Sequence, residues 1–159
     1  MKPVMLATDG SPTAEKATDT AIEFARLFGT ELVIVSVWDI PYPTVGFAPM
    51  PVTGEFAAVG QEDAQRIAAE AAARAEEAGV ETRTVVLRGF PVDEICVAAE
   101  KFGARLLVLG SHGWGTLRRA IFGSVSTGVL HHARCPVLVV PVEQFDENMR
   151  GRAQEEILA

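Results

Sequence analysis

Short apolar runs rich in β-branched residues recur at 4–8, 32–37, 82–87, 106–109 and 137–140, and between them the apolar positions switch to a three-four spacing. Runs of this length predict strands. Those at 4–8, 32–37, 106–109 and 137–140 are almost continuously apolar, the pattern of parallel strands covered on both faces. In the first interval Ala14, Ala17, Ala21, Phe24, Ala25 and Phe28 repeat at helical spacing, behind Ser11 as N-cap and Pro12 at the first helical position, with Gly29 as the stop. The second helix repeats Ala64, Ile67, Ala68, Ala71, Ala72, Ala75 and Ala78 and stops at Gly79. So much alanine suits a close approach to the sheet, and alanine's helix propensity alone would also account for it. The third runs from Pro91 through Val92, Ile95, Cys96, Ala99 and Phe102 to Gly103. The fourth starts near Ser124 and ends before Pro136, because proline disfavours helix in the residue preceding it.

The order βαβαβαβαβ predicts a single three-layer α/β domain, an open five-stranded parallel sheet with right-handed crossovers and helices on both faces. Ligands of such sheets sit at the carboxyl ends of the strands, where the strand order reverses. The domain is expected over residues 1–142. Residues 41–60, PYPTVGFAPMPVTGEFAAVG, are long for a βα loop and are expected to form a functional or mobile segment, with a lid as one role. Residues 143–159 are a charged tail, expected to be frayed or partner-dependent.

The candidate chemistry concentrates in residues 110–126, GSHGWGTLRRAIFGSVS. A strand stops on Gly110, Gly113 follows three residues later, and Gly123 precedes Ser124, Val125 and Ser126 at the mouth of a helix. Such glycines let backbone amides approach a ligand, and the amides at a helix N-terminus, with the helix dipole, favour an anion. One glycine after a strand would mark a turn and no more; three at this spacing predict a phosphate cradle. Ser124 and Ser126 add hydroxyls, and Ser124 also suits an N-cap. Arg118 and Arg119 lie between the glycines, where a solvated or subunit-contact role is the commoner one. His112 sits inside the cradle without a sequence partner that would orient it as a general base, so it reads as a lining or structural residue. His131 and His132 fall in the last turn of the fourth helix, where histidine satisfies terminal carbonyls, and they lack zinc-site spacing. Asp9, between a strand and a helix, fits an Asx turn or a cap. No catalytic residue and no metal ligand is assigned.

Composition narrows the partners. The chain has 159 residues, a size that buries a sizeable core in one domain. Its net charge of −7 argues against electrostatic capture of nucleic acid or an anionic membrane, and 48% hydrophobic residues include no run near the ~20 needed to span a bilayer. The first residues, Met1-Lys2-Pro3-Val4, lack the pattern of a secretory leader, so a cytoplasmic location is expected. Cys96 and Cys135 form neither a Cys-x-x-Cys pair nor a zinc pattern and are expected to pack in or near the core. Lysine occurs only at positions 2, 16 and 101, so any phosphate would be met by backbone, arginine or a metal ion.

The glycine spacing resembles that of the universal stress proteins, in the ATP-binding branch whose signature is Gly, two residues, Gly, nine residues, Gly-Ser or Gly-Thr; here it is Gly110, Gly113, Gly123 and Ser124. The opening strand running into Thr8-Asp9-Gly10-Ser11, the strand ending near Val37 and the closing Cys135-Pro136-Val137-Leu138-Val139-Val140 extend the likeness over roughly residues 2–141. Trp114 and Gly115 depart from it, standing where polar or charged residues often follow the second glycine. The resemblance implies strand order 3-2-1-4-5, which sets the loops after strands one and four across one crevice. It implies a nucleotide site of Thr8, Asp9, Val37, Leu109, Gly110, His112, Gly113, Gly123, Ser124, Val125 and Ser126. Asp9 and the Val37 backbone would meet the adenosine end, and the glycines and serines the phosphates. It implies ATP, or ADP or AMP, with Mg2+, and a homodimer through the apolar edge strand Val137–Val140. Two alternatives stand beside it. One is a dimeric interaction protein that binds no nucleotide. The other is a nucleotide hydrolase or phosphotransferase, against which stand the missing Gly-x-x-x-x-Gly-Lys-Ser/Thr motif and the lack of a crevice lysine. At most slow ATP hydrolysis is expected. A phosphoacceptor receiver would want paired acidic residues after strand one, and a dinucleotide binder would carry its glycines there; neither holds.

Overall fold

The computed structural model describes residues 1–38, 44–45, 48–49, 54–112 and 122–141. Its elements in chain order are β1 (Val4–Ala7), α1 (Pro12–Phe28), β2 (Leu32–Trp38), β3 (Thr44–Val45), β4 (Ala48–Pro49), α2 (Gly54–Glu77), β5 (Thr82–Arg88), α3 (Pro91–Phe102), β6 (Leu106–Gly110), α4 (Ser124–His132) and β7 (Val137–Val140). Five strands form one parallel sheet in the order β5-β2-β1-β6-β7, while β3 and β4 pair antiparallel as a separate two-residue ribbon. Numbering the five sheet strands alone, the order is 3-2-1-4-5. The order therefore reverses between β1 and β6, which are direct neighbours with Val4 opposite Leu106 and Ala7 opposite Leu109.

Continuous apolar strands follow from burial on both faces. Side chains alternate across a strand. Val4, Leu6, Leu32, Ile34 and Val108 point to one side, where Ala17, Ala21, Ala25, Ala68, Ala72 and Ala75 of α1 and α2 meet them. Met5, Ala7, Val33, Val35, Leu107 and Leu109 point to the other, against Ile95, Ala98 and Ala99 of α3 and Val129 of α4. The alanines of α1 and α2 do approach closely: Ala17, Ala21, Ala25 and Ala75 are 0% exposed. β5, at one edge, mixes exposed and half-buried residues, and β7, at the other, is half-buried throughout.

One boundary differs from the sequence reading. The segment 41–60, expected to be loop, carries the β3–β4 ribbon, and α2 begins at Gly54, ten residues before Ala64. A tertiary contact holds this early start. Gly60 lies so close to Trp38, at the end of β2, that an added Cβ would stand 3.2 Å from the indole Cε3. The indole is flanked on another side by the Arg88 guanidinium of β5, 5.5 Å from the ring centroid. Most of 39–53 and the tail 142–159 lie outside the described residues.

Candidate functional site

The carboxyl ends of β1, β2 and β6 and the amino ends of α1, α3 and α4 surround a cavity of about 310 Å³. That is the lower end of the range typical of small-ligand pockets. Thr8, Asp9, Val37, Leu109, Gly110, His112, Gly123, Ser124, Val125 and Ser126 all line it, so residues more than a hundred positions apart converge on one cavity. Gly113 lies outside the described residues, together with Trp114, Gly115, Arg118 and Arg119.

Much of the wall is apolar. Ala7, Val35, Val37 and Leu109 come from the sheet, Val125 from α4, and Pro91 and Ile95 from the first turns of α3. Sequence reasoning missed Ala7, Ala14, Val35, Pro91 and Ile95. Val35 and Ala7 carried a signal, since two-residue periodicity from Val37 and the β1 register put them on the same face. Pro91 and Ile95 carried none, because their place depends on how the crossover helix packs.

Another part of the lining is polar. Residue 9 turns the chain from β1 into α1: Asp9 Oδ1 accepts the Ser11 N–H at 3.0 Å, and Thr8 Oγ1 accepts the Gly10 N–H at 3.3 Å. The Asx turn and a place in the cavity wall are both true of Asp9. Across from it, Gly123 N–H donates to the Ser111 carbonyl at 2.7 Å, so this motif amide serves the loop's own closure. Ser126 Oγ–H is shared between the Ser111 and Gly123 carbonyls, at 2.9 and 3.0 Å, and is likewise engaged. The first intrahelical bond of α4 runs from Thr127 N–H to Gly123 C=O. The N–H groups of Ser124, Val125 and Ser126 precede it, at the positive end of the helix dipole, in residues that line the cavity.

Gly110, besides lining the cavity, is required for a second reason. A Cβ there would stand 2.9 Å from the Thr13 carbonyl carbon and 3.0 Å from the Ala14 nitrogen. Its bareness admits the α1 backbone against β6. The same junction is pinned by hydroxyls: Thr13 Oγ1 donates to the His112 carbonyl, which also accepts from Ser11 Oγ at 3.4 Å. His112 Nδ1 lies 3.1 Å from Ser111 Oγ, which orients the ring at the cavity wall.

Among the described residues the lining includes Asp9 and His112 but no lysine or arginine, and no group of three His, Cys, Asp or Glu residues could hold a metal ion. No described helix is long and apolar enough to cross a membrane. His132 Nδ1–H donates to the Gly128 carbonyl at 2.8 Å, a last-turn role. Both cysteines are half-buried against the α3–α4 side of the core. Burial, then the proximity of Cys135, pushes the Cys96 thiol above its ordinary value, and burial pushes Cys135 up as well. Both are thereby kept protonated and poorly nucleophilic.

Fold and cleft together define an open, doubly wound α/β domain with a ligand-sized crevice at its topological switch point. The chain belongs to the universal stress protein family, whose model matches residues 1–141. A universal stress protein of Methanocaldococcus jannaschii is 37% identical over 142 residues, covering 87% of this chain and 81% of the relative. One from Mycobacterium tuberculosis is 37% identical over 138 residues, where the match spans 86% of this chain and 44% of the relative. Among solved structures, the hypothetical protein MJ0577 superposes with a TM-score of 0.77 at 28% identity, covering 91% of this chain and 98% of that one. A universal stress protein in complex with cAMP superposes with a TM-score of 0.63 at 29% identity, covering 87% and 96%.

Proposed function

We propose that this universal stress protein binds an adenine nucleotide in the switch-point cleft and uses occupancy to bias its conformation or its association with a partner. The observation that carries the reading is the union, in one cavity, of an apolar slot with the three leading amides of α4. An uncharged planar base suits Val37, Ile95, Leu109 and Val125, while a phosphate suits the amides of Ser124, Val125 and Ser126. The related protein solved with cAMP supports the ligand class. Within that class the proposal is ATP, or ADP or AMP, with Asp9 at the ribose end and Mg2+ arriving on the phosphates. Hydrolysis is slow at most. Occupancy shifts an equilibrium only as far as the nucleotide prefers one state. The proposed assembly is a homodimer through β7, an apolar edge strand whose half-buried residues invite a covering partner.

The test is calorimetry on nucleotide-stripped protein with ATP plus magnesium, AMP and cAMP, with phosphate release followed in parallel. The expected result is micromolar binding, about −8 kcal/mol, with little turnover. Absence of binding by all three overturns the reading and favours a nucleotide-free interaction protein. Rapid phosphate release would favour the hydrolase.

A further inference from the structure

The α3 part of the apolar wall, Pro91 and Ile95, and the amide cradle of α4 lie on different helices, so their separation depends on how α3 meets α4. That meeting is made at Gly128, in the middle of α4, and Val92, in the first turn of α3. A Cβ built on Gly128 would stand 2.7 Å from Val92 Cγ2, 3.0 Å from Cγ1 and 3.4 Å from Cβ. Ordinary carbon contacts begin near ~3.5 Å, so a methyl group here demands a displacement of about 1 Å. Valine cannot swing aside to absorb it, because two branches on Cβ leave one favoured rotamer in a helix. The helices themselves must part. Glycine in a nine-residue helix also runs against propensity, which gives α4 a local cost that the close contact with α3 offsets.

The contact has a direct bearing on the cleft. Val92 directly follows Pro91 and is three residues before Ile95, the two α3 residues of the cavity wall. Gly128 is one turn beyond Ser124, the first cradle residue, and next to Val129, which is fully buried in the core below. We propose that Val92 and Gly128 are positioning residues that hold the Pro91–Ile95 wall at a set distance from the α4 amides, and so adjust the cleft to the thickness of one planar base. Neither residue lines the cavity; both act through those that do. The proposal rests on the nucleotide reading of the cleft for its ligand, but its geometric content does not.

The experiment compares AMP binding by calorimetry in the wild type, Gly128→Ala, Val92→Ala and the double variant, with a ligand-free crystal structure of Gly128→Ala. Gly128→Ala is expected to fold, since alanine restores helix propensity, and to bind AMP about tenfold more weakly, less than the roughly hundredfold that a ~1 Å misplacement can cost a reacting geometry. Val92→Ala removes the opposing methyl groups, so the double variant is expected to recover most of the lost affinity. A merely structural role would give additive losses. Wild-type affinity in Gly128→Ala, or additive loss in the double variant, overturns the proposal. If even the wild type fails to bind AMP, the nucleotide reading falls, and the crystal structure decides the geometry alone. There, widening of the Ile95 to Ser124 separation by about 1 Å supports it, and an unchanged separation overturns it.

Discussion

Two helices begin at the cleft on nearly the same backbone and end up with opposite chemistry. The N-cap of α1, Ser11, has φ −69° and ψ 160°; the N-cap of α4, Gly123, has φ −71° and ψ 166°. In α1 two of the first three donors are already accounted for. Pro12 has no N–H, and the Ala14 N–H is taken by Ser11 Oγ at 3.4 Å. Ser11 is itself fully buried, with its oxygen shared with Thr13 and the His112 carbonyl. In α4 the N-cap has no side chain to offer, and three amides in a row belong to cavity-lining residues. A helix N-terminus becomes a structural joint or a ligand site according to what occupies its first three donors; here α1 supplies a joint and α4 the proposed site, both a few residues from the switch point.

The comparison breaks most sharply at the closed end. Gly110→Ala drives a methyl group into the Thr13–Ala14 backbone of α1, and overpacking of this kind is expected to cost about 2 kcal/mol of folding stability, read as a lowered denaturant midpoint. The next effect converts the open end into a copy of the closed one. Ser124→Pro removes a single amide at a position where proline is accepted, and Gly123 already has the extended backbone that precedes proline. Nucleotide affinity is expected to fall about tenfold, about 1.4 kcal/mol, as a charge-assisted bond is lost, while the thermal midpoint stays put. Calorimetry beside a melting curve separates the two. The smallest effect is the reverse operation. Ser11→Ala uncaps α1 at a cost of about 1 kcal/mol, with unchanged nucleotide affinity, because the freed donor faces the α1–β6 joint. A matching loss of affinity would mean that the two termini share one role.

Much of this was legible in the residues. β1, β2, β6 and β7 announce themselves because strands covered on both faces must be apolar throughout, and Ser11-Pro12 announces the start of α1 because those two residue types settle its leading donors locally. The proposed cradle announced itself through Gly123-Ser124 before an apolar helix. The early start of α2 was not legible, since Gly60 owes its place to Trp38 of a neighbouring strand. Nor was the second role of Gly110, a cavity-lining residue that also abuts a helix backbone nearly a hundred residues earlier.

Periodicity and local chemistry, which act within a few residues, therefore determined the elements, their caps and which loops carry glycine and serine. The depth and width of the cleft were decided only in the tertiary structure: Pro91 and Ile95 form its wall because α3 lies across the sheet beside α4, and α3 lies that near because Gly128 has no side chain opposite Val92. Contacts between elements depend on shape at separations of an ångström, and no pattern of residue types along a chain encodes distance across it.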